Sequence, residues 1–233
     1  MSAGEGGKAD THAVVGIPSC CMTTRALTPH EIILLTQTLE LRRRHRDRLF
    51  LLLAVTTGFR VSELLTLRFS QLLNSSAQVA KEITVARRSM KGGHGPRAKA
   101  VRSRRVPLNE TARMAVETYL ATLPVPPTAD TFVFLSRKGD NRPVSRCQAH
   151  SLMKTLAREV GLDASRVGCH STRKTYARGL YEASGHDLIK TQRLMGHSNP
   201  MTTARYLDTN EAELDTLVMG FNPMSSSPQL GHR

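Results

Sequence analysis

Apolar residues recur along most of this chain at helical spacing, with strict alternation confined to one short region. The first regular pattern begins at Leu27-Thr28-Pro29-His30-Glu31. Thr28 can cap a helix, Pro29 suits its first position, and Glu31 lies three residues after the cap, which makes a capping box. Ile32, Leu35 and Leu39 then fall on one face. A second helix is expected over 46–57, stopping at Gly58, because glycine just past a helix end can adopt the left-handed conformation that closes the last turn. Ser62 opens a third, short helix through Leu64, Leu65 and Leu67. Residues 82–86 are β-branched and alternating, and they lead through Lys91-Gly92-Gly93-His94-Gly95-Pro96 to Val101 and Arg105-Val106-Pro107. Two strands around a long glycine-rich turn predict a β-hairpin. A helix from Asn109, a Pro-rich connection over 124–127 and a short strand over 131–135 follow. Helices are then expected over 145–160, 171–183, 186–195, 200–207 and 211–219. The fold class is mainly α with a small antiparallel β-sheet (α+β), in one domain over 28–220. Residues 1–27, rich in small and polar types without apolar period, read as a flexible tail, as do 221–233.

Charge changes this picture from fold toward partner. Lys and Arg total 33 against 19 acids, a formal net charge of +14. An excess of that size favours a polyanion, because each neutralised phosphate releases condensed counterions. Between Ala86 and Val106 there are eight Lys or Arg residues and no acid. These are Arg87, Arg88, Lys91, Arg97, Lys99, Arg102, Arg104 and Arg105, and their mutual repulsion in a hairpin calls for a counter-charge. All of them but Lys91, together with Lys174, are the expected DNA contacts. The four cysteines, Cys20, Cys21, Cys147 and Cys169, show no CxxC spacing, so neither a zinc site nor a disulfide framework is indicated. The longest apolar run, 49–57, is far short of the roughly 20 residues that span a bilayer. With no secretory signal peptide in view, a cytoplasmic protein off the membrane is expected.

Three segments carry candidate chemistry. In Thr57-Gly58-Phe59-Arg60-Val61-Ser62-Glu63, Arg60 links two helices and Glu63 can hold its guanidinium. Taken alone this reads as a helix-end ion pair. In His170-Ser171-Thr172-Arg173 the histidine and arginine are three apart and share a face at a helix start, where phosphate is also favoured. In Leu194-Met195-Gly196-His197-Ser198-Asn199-Pro200, Gly196 ends one helix, and Asn199-Pro200 opens the next, which carries Tyr206 about two turns along. A phosphodiester attacked by a hydroxyl gathers negative charge on its non-bridging oxygens, and two arginines with two histidines can hold that charge. Tyrosine, with an ordinary pKa of about 10, is a weak nucleophile until a cationic pocket favours its phenolate. A leaving 5′ oxygen needs a proton, which a hairpin lysine can give and an arginine cannot.

The order Arg60 with Glu63, then His170-x-x-Arg173, then Gly196-His197 and Tyr206 resembles the catalytic domain of tyrosine recombinases, the phage integrase family, over about residues 28–220. The resemblance implies their DNA breaking–rejoining fold. It implies that Arg60, His170, Arg173 and His197 activate a scissile phosphate, that Tyr206 forms a 3′-phosphotyrosyl link, and that Glu63 supports the site. It implies site-specific strand transfer on double-stranded DNA without ATP, metal or other cofactor. Partners implied are a homotetramer on DNA joined through the C-terminal helix, and an accessory DNA-bending protein. For the proton donor, Lys91 is the first choice and Lys99 the competitor, since the hairpin is longer than is usual in the family. Thr172 stands where the family commonly has Leu. The short N-terminal tail resembles that of small single-domain members lacking a core-binding domain. Two other functions fit the same fold: a DNA-binding regulator or excision factor without strand exchange, and a nicking–closing enzyme of the type IB topoisomerase kind.

Overall fold

The computed structural model describes residues 24–85, 103–207 and 218–220. Helices α1 (Pro29–Leu41), α2 (His45–Thr57), α3 (Val61–Leu65) and α4 (Phe69–Leu72) come first. Strands β1 (Glu82–Val85) and β2 (Arg104–Pro107) then pair antiparallel, Ile83 opposite Val106. Helices α5 (Glu110–Ala121), α6 (Arg146–Glu159), α7 (Cys169–Ala183), α8 (Leu188–Met195) and α9 (Pro200–Leu207) complete the order.

The centre of this arrangement is α2. Leu49, Phe50, Leu51, Leu52, Leu53 and Ala54 are consecutive and all buried. A helix apolar on every side must be surrounded, and α2 packs against α1, α5 and α7. Phe50 meets Phe134 edge to face, with ring centroids 5.5 Å apart. The helix ends where the sequence says it should: Gly58 has φ 59° and its N–H closes on Ala54 O. The capping box of α1 also forms, Thr28 Oγ1 accepting from Glu31 N and Glu31 from Thr28 N. Asn109 caps α5 and Ser145 caps α6.

Four expectations change. The segment 131–135 makes only single bridges, Arg68 to Phe132 and Leu135 to Pro143. Phe69 turns into α4 on one side and Pro143 has no N–H on the other, so neither pairing can continue into a strand. α7 begins at Cys169, two residues early, with Gly168 N donating to Ser171 Oγ. α8 begins at Leu188, because Asp187 supplies the cap and His186, at φ 66°, lies outside the helix. Order also starts before residue 28. Thr24 and Leu27 are buried, Arg25 N donates to Arg166 O, and Leu27 N donates to Thr175 Oγ1. Arg25 also grips Glu31, holding that carboxyl down at about 2. Residues 1–23, most of the hairpin (86–102), and the helix expected at 211–219 apart from its last two residues lie outside the described residues. Among the described residues no helix is long and apolar enough to cross a membrane.

Replacing Gly58 tests how firmly this frame holds the site. An alanine there keeps a left-handed φ and its Cβ collides with the Tyr176 ring. Gly58→Ala is expected to lower the unfolding free energy by at least about 2 kcal/mol in urea denaturation, the left-handed penalty plus the overlap.

Candidate active site

The close of α2 frees its terminal carbonyls, which in any helix lack intrahelical partners. The chain leaves Gly58 through buried Phe59 into Arg60, whose extended backbone caps α3. Arg60 N donates to Glu63 Oε2 at 2.8 Å, and Arg60 Nη1 donates to Glu63 Oε1 at 2.9 Å. The Glu63 side chain is 1% exposed and that of Arg60 25%. A buried carboxylate thus fixes both the backbone and the fork of an arginine whose remaining donors are open.

Arg173, on α7, is 1% exposed. Its Nη1 donates to Gly58 O, and its Nη2 donates to Met195 O at 3.1 Å and meets His197 Nε2 at 2.8 Å. Two helix ends, those of α2 and α8, therefore aim freed carbonyls at one guanidinium, where the negative pole of each helix favours a cation. Its Nε is buried without a hydrogen-bond partner among the described residues. Burial, together with the nearby Arg60, lowers its pKa to about 10, so it stays charged at neutral pH.

His197 follows Gly196, which closes α8 at φ 66°. Arginine can only donate, so His197 Nε2 accepts from Arg173, and the ring proton sits on Nδ1, which faces Thr203 Oγ1 at 2.9 Å. Burial first, and then Arg173, Arg60 and Arg104, push the His197 pKa down to about 3. Thr203 and Tyr206 lie three apart on α9, so the helix that holds the imidazole also presents the phenol. The Tyr206 ring centroid is 5.3 Å from that of His197 and 5.6 Å from Arg173 Cζ. His170, one turn before Arg173, is half-buried. Its pKa is lowered by burial first and then by Arg173, Lys174, His150 and Arg60.

Arg60, Glu63, Arg173, His197 and Tyr206 thus converge, with His170 beside them, from three separate segments of the chain. The hairpin residues Arg87, Arg88, Lys91, Arg97, Lys99 and Arg102 lie outside the described residues. Two expected DNA contacts are placed differently. Lys174 is 6% exposed, buried within α7. Arg104 turns inward, Nη1 donating to Met195 O at 2.7 Å, while Arg105 on the opposite strand face is exposed and bound to Glu82. Strand alternation carried that signal, since Arg104 shares a face with Val106, the buried residue of β2. Thr203 and the carbonyls of Gly58 and Met195 escaped sequence reasoning, and nothing in residue type marks a backbone oxygen.

The sequence matches the family model described as Phage integrase family over residues 25–213. It is 32% identical over 185 residues to tyrosine recombinase XerD of Xanthomonas campestris pv. campestris, covering 76% of this chain and 52% of that protein. The fold is similar to the crystal structure of XerA recombinase at a TM-score of 0.62 and 20% identity, covering 85% of this chain and 64% of that one. It is similar also to XerH site-specific recombinase bound to palindromic difH substrate, in a post-cleavage complex, at a TM-score of 0.59 and 21% identity. That match covers 83% of this chain and 51% of the other. The chain spans about half the length of the XerD relative it matches.

The depressed His197 pKa has a measurable sign. Between about 3 and the ordinary 6.5, the unfolded chain binds a proton that the folded one rejects, so this residue makes stability rise with pH across that window and leaves it flat above. In nitrogen-detected NMR of the DNA-free protein at pH 5, His197 is expected to be neutral with its proton on Nδ1. A doubly protonated ring at that pH would contradict the arrangement.

Proposed function

Because the chain belongs to the phage integrase family, we propose that it is a tyrosine site-specific recombinase that cuts and rejoins double-stranded DNA through a covalent bond to Tyr206. The observation that carries this reading is the position of Arg173, hydrogen-bonded to His197 and lying against the Tyr206 ring while Arg60 stands close by. The net charge of +14 supports DNA as the polyanion.

In the proposed reaction the Tyr206 phenol oxygen attacks the scissile phosphorus. The O–P bond to tyrosine forms, and the bond from phosphorus to the 5′ oxygen breaks. The phenol proton passes to a neutral histidine, the lowered pKa values of His170 and His197 leaving each ring with one unprotonated nitrogen. The leaving 5′ oxygen takes a proton from a hairpin lysine, Lys91 or Lys99. The guanidinium groups of Arg60 and Arg173 balance the charge that builds on the non-bridging oxygens. A phosphate entering the site draws Arg173 Nη2 from His197, and the imidazole then turns from accepting a hydrogen bond to serving the substrate. The phosphotyrosyl link conserves bond energy, so a 5′ hydroxyl can reverse the step without ATP, metal or other cofactor. Assembly as a tetramer on DNA through the acidic C-terminal segment, help from an accessory DNA-bending protein, and a cytoplasmic location complete the proposal.

A duplex nicked just beyond the cut traps the intermediate. With EDTA present, the wild-type protein is expected to form a protein–DNA adduct that survives denaturing electrophoresis, and Tyr206→Phe none. Arg173→Ala is expected to slow adduct formation by roughly 100-fold or more, the cost of losing one preorganised transition-state donor. An adduct with Tyr206→Phe, or wild-type rates with Arg173→Ala, would refute the assignment. Relaxation of plasmids of any sequence would instead favour the topoisomerase alternative.

A further inference from the structure

Arg104 stands apart from Arg105, the other described cation of the hairpin. Its Nη1 donates to Met195 O at 2.7 Å, its Nη2 reaches Thr57 O at 3.4 Å, and its Cζ lies 5.3 Å from the Phe59 ring centroid. Its Nε is buried without a hydrogen-bond partner among the described residues. A Cβ built on Gly196 would come within 2.9 Å of Arg104 Cδ, so the side chain packs directly against the turn that carries His197. Met195 O accepts from both Arg104 and Arg173. Two guanidinium groups on one oxygen repel each other. Glu63 favours both charges, while burial and Arg60 oppose them.

An arginine that reads DNA needs donors pointing outward, and both ends of this fork are instead taken by carbonyls at the ends of α2 and α8. We propose that Arg104 is a positioning residue: it clamps the last carbonyl of α8, fixes the Gly196–His197 turn, and ties the return strand of the hairpin to the anchor of Arg173. This rests on the recombinase reading above. A displacement of β2 moves the oxygen that holds Arg173, so the hairpin and the phosphate site act as one mechanical unit. Sub-ångström placement of such groups governs rate more than affinity.

Two variants test it, Arg104→Lys and Phe59→Leu. The second keeps every charge and removes only the ring beneath the guanidinium, so it serves where the first does not fold. Hydrogen exchange at the Gly196 and His197 amides is read without DNA. Adduct formation on the nicked duplex is read at saturating DNA, and the salt dependence of DNA binding alongside. Faster exchange, adduct formation slower by roughly 100-fold in Arg104→Lys and by less in Phe59→Leu, and an unchanged salt slope are expected. Unchanged exchange in the folded variants overturns the proposal. So does a salt slope lower by about one phosphate with wild-type adduct rates, which would make Arg104 a DNA contact. A wild-type protein that forms no adduct defeats the recombinase reading instead, and amide exchange still decides the role of Arg104.

Discussion

A single buried cation organises this molecule. Arg173 sits in the interior and, among the described residues, is neutralised by no carboxylate in direct contact. It is held by carbonyl oxygens that two helices release where they end, at Gly58 and Met195, and by the imidazole of His197. Removing one partner of a buried, hydrogen-bonded charge costs about 3–5 kcal/mol, far more than a surface pair contributes. The ends of α2 and α8 are therefore pinned against α7 by the same group that would meet a phosphate. Under the proposed function, fold and chemistry share one anchor.

The charge balance around that anchor is incomplete. Arg60, Arg104 and Arg173 lie near one another: Arg173 feels both of the others as unfavourable neighbours, and Arg104 feels Arg60. Glu63 is the carboxylate that both feel, and its own oxygens are engaged by Arg60. Burial first, and then the surplus of positive charge around the pocket, drive both histidines toward their neutral forms. The same excess is suited to a dianionic transition state, whose charge would relieve the repulsion as it develops. Under the proposed function, an interior cation array of this kind would trade stability for a site already arranged before substrate arrives.

Much of the local structure was legible because its determinants are local. The Thr28–Glu31 capping box and the glycine stops at 58 and 196 act over three or four residues, and each formed where residue type and spacing put it; the helices expected from Asn109 and Ser145 begin one residue later, with those two side chains as their caps. The failures were of a different kind. The segment 131–135 has strand composition, but its neighbours are a helix start and a proline, facts about partners rather than about the segment. Residues 24–27 carry no pattern of their own and are ordered by Arg166, Thr175 and Glu31, which come from elsewhere in the chain.

For the site, the sequence by itself determined the identity and order of the chemical groups: two arginines, two histidines, a tyrosine and a supporting carboxylate. It also determined which of them share a helix face, since three-residue spacing fixes that without reference to the rest of the fold. Only the tertiary structure decided which nitrogen of His197 accepts and which donates, and that Arg104 turns inward while Arg105 turns out. It alone placed Lys174 inside a helix packing rather than on an open face. The physical reason is that these outcomes depend on backbone carbonyls and on burial. Neither is written in residue type, and both exist only once distant helix ends have met.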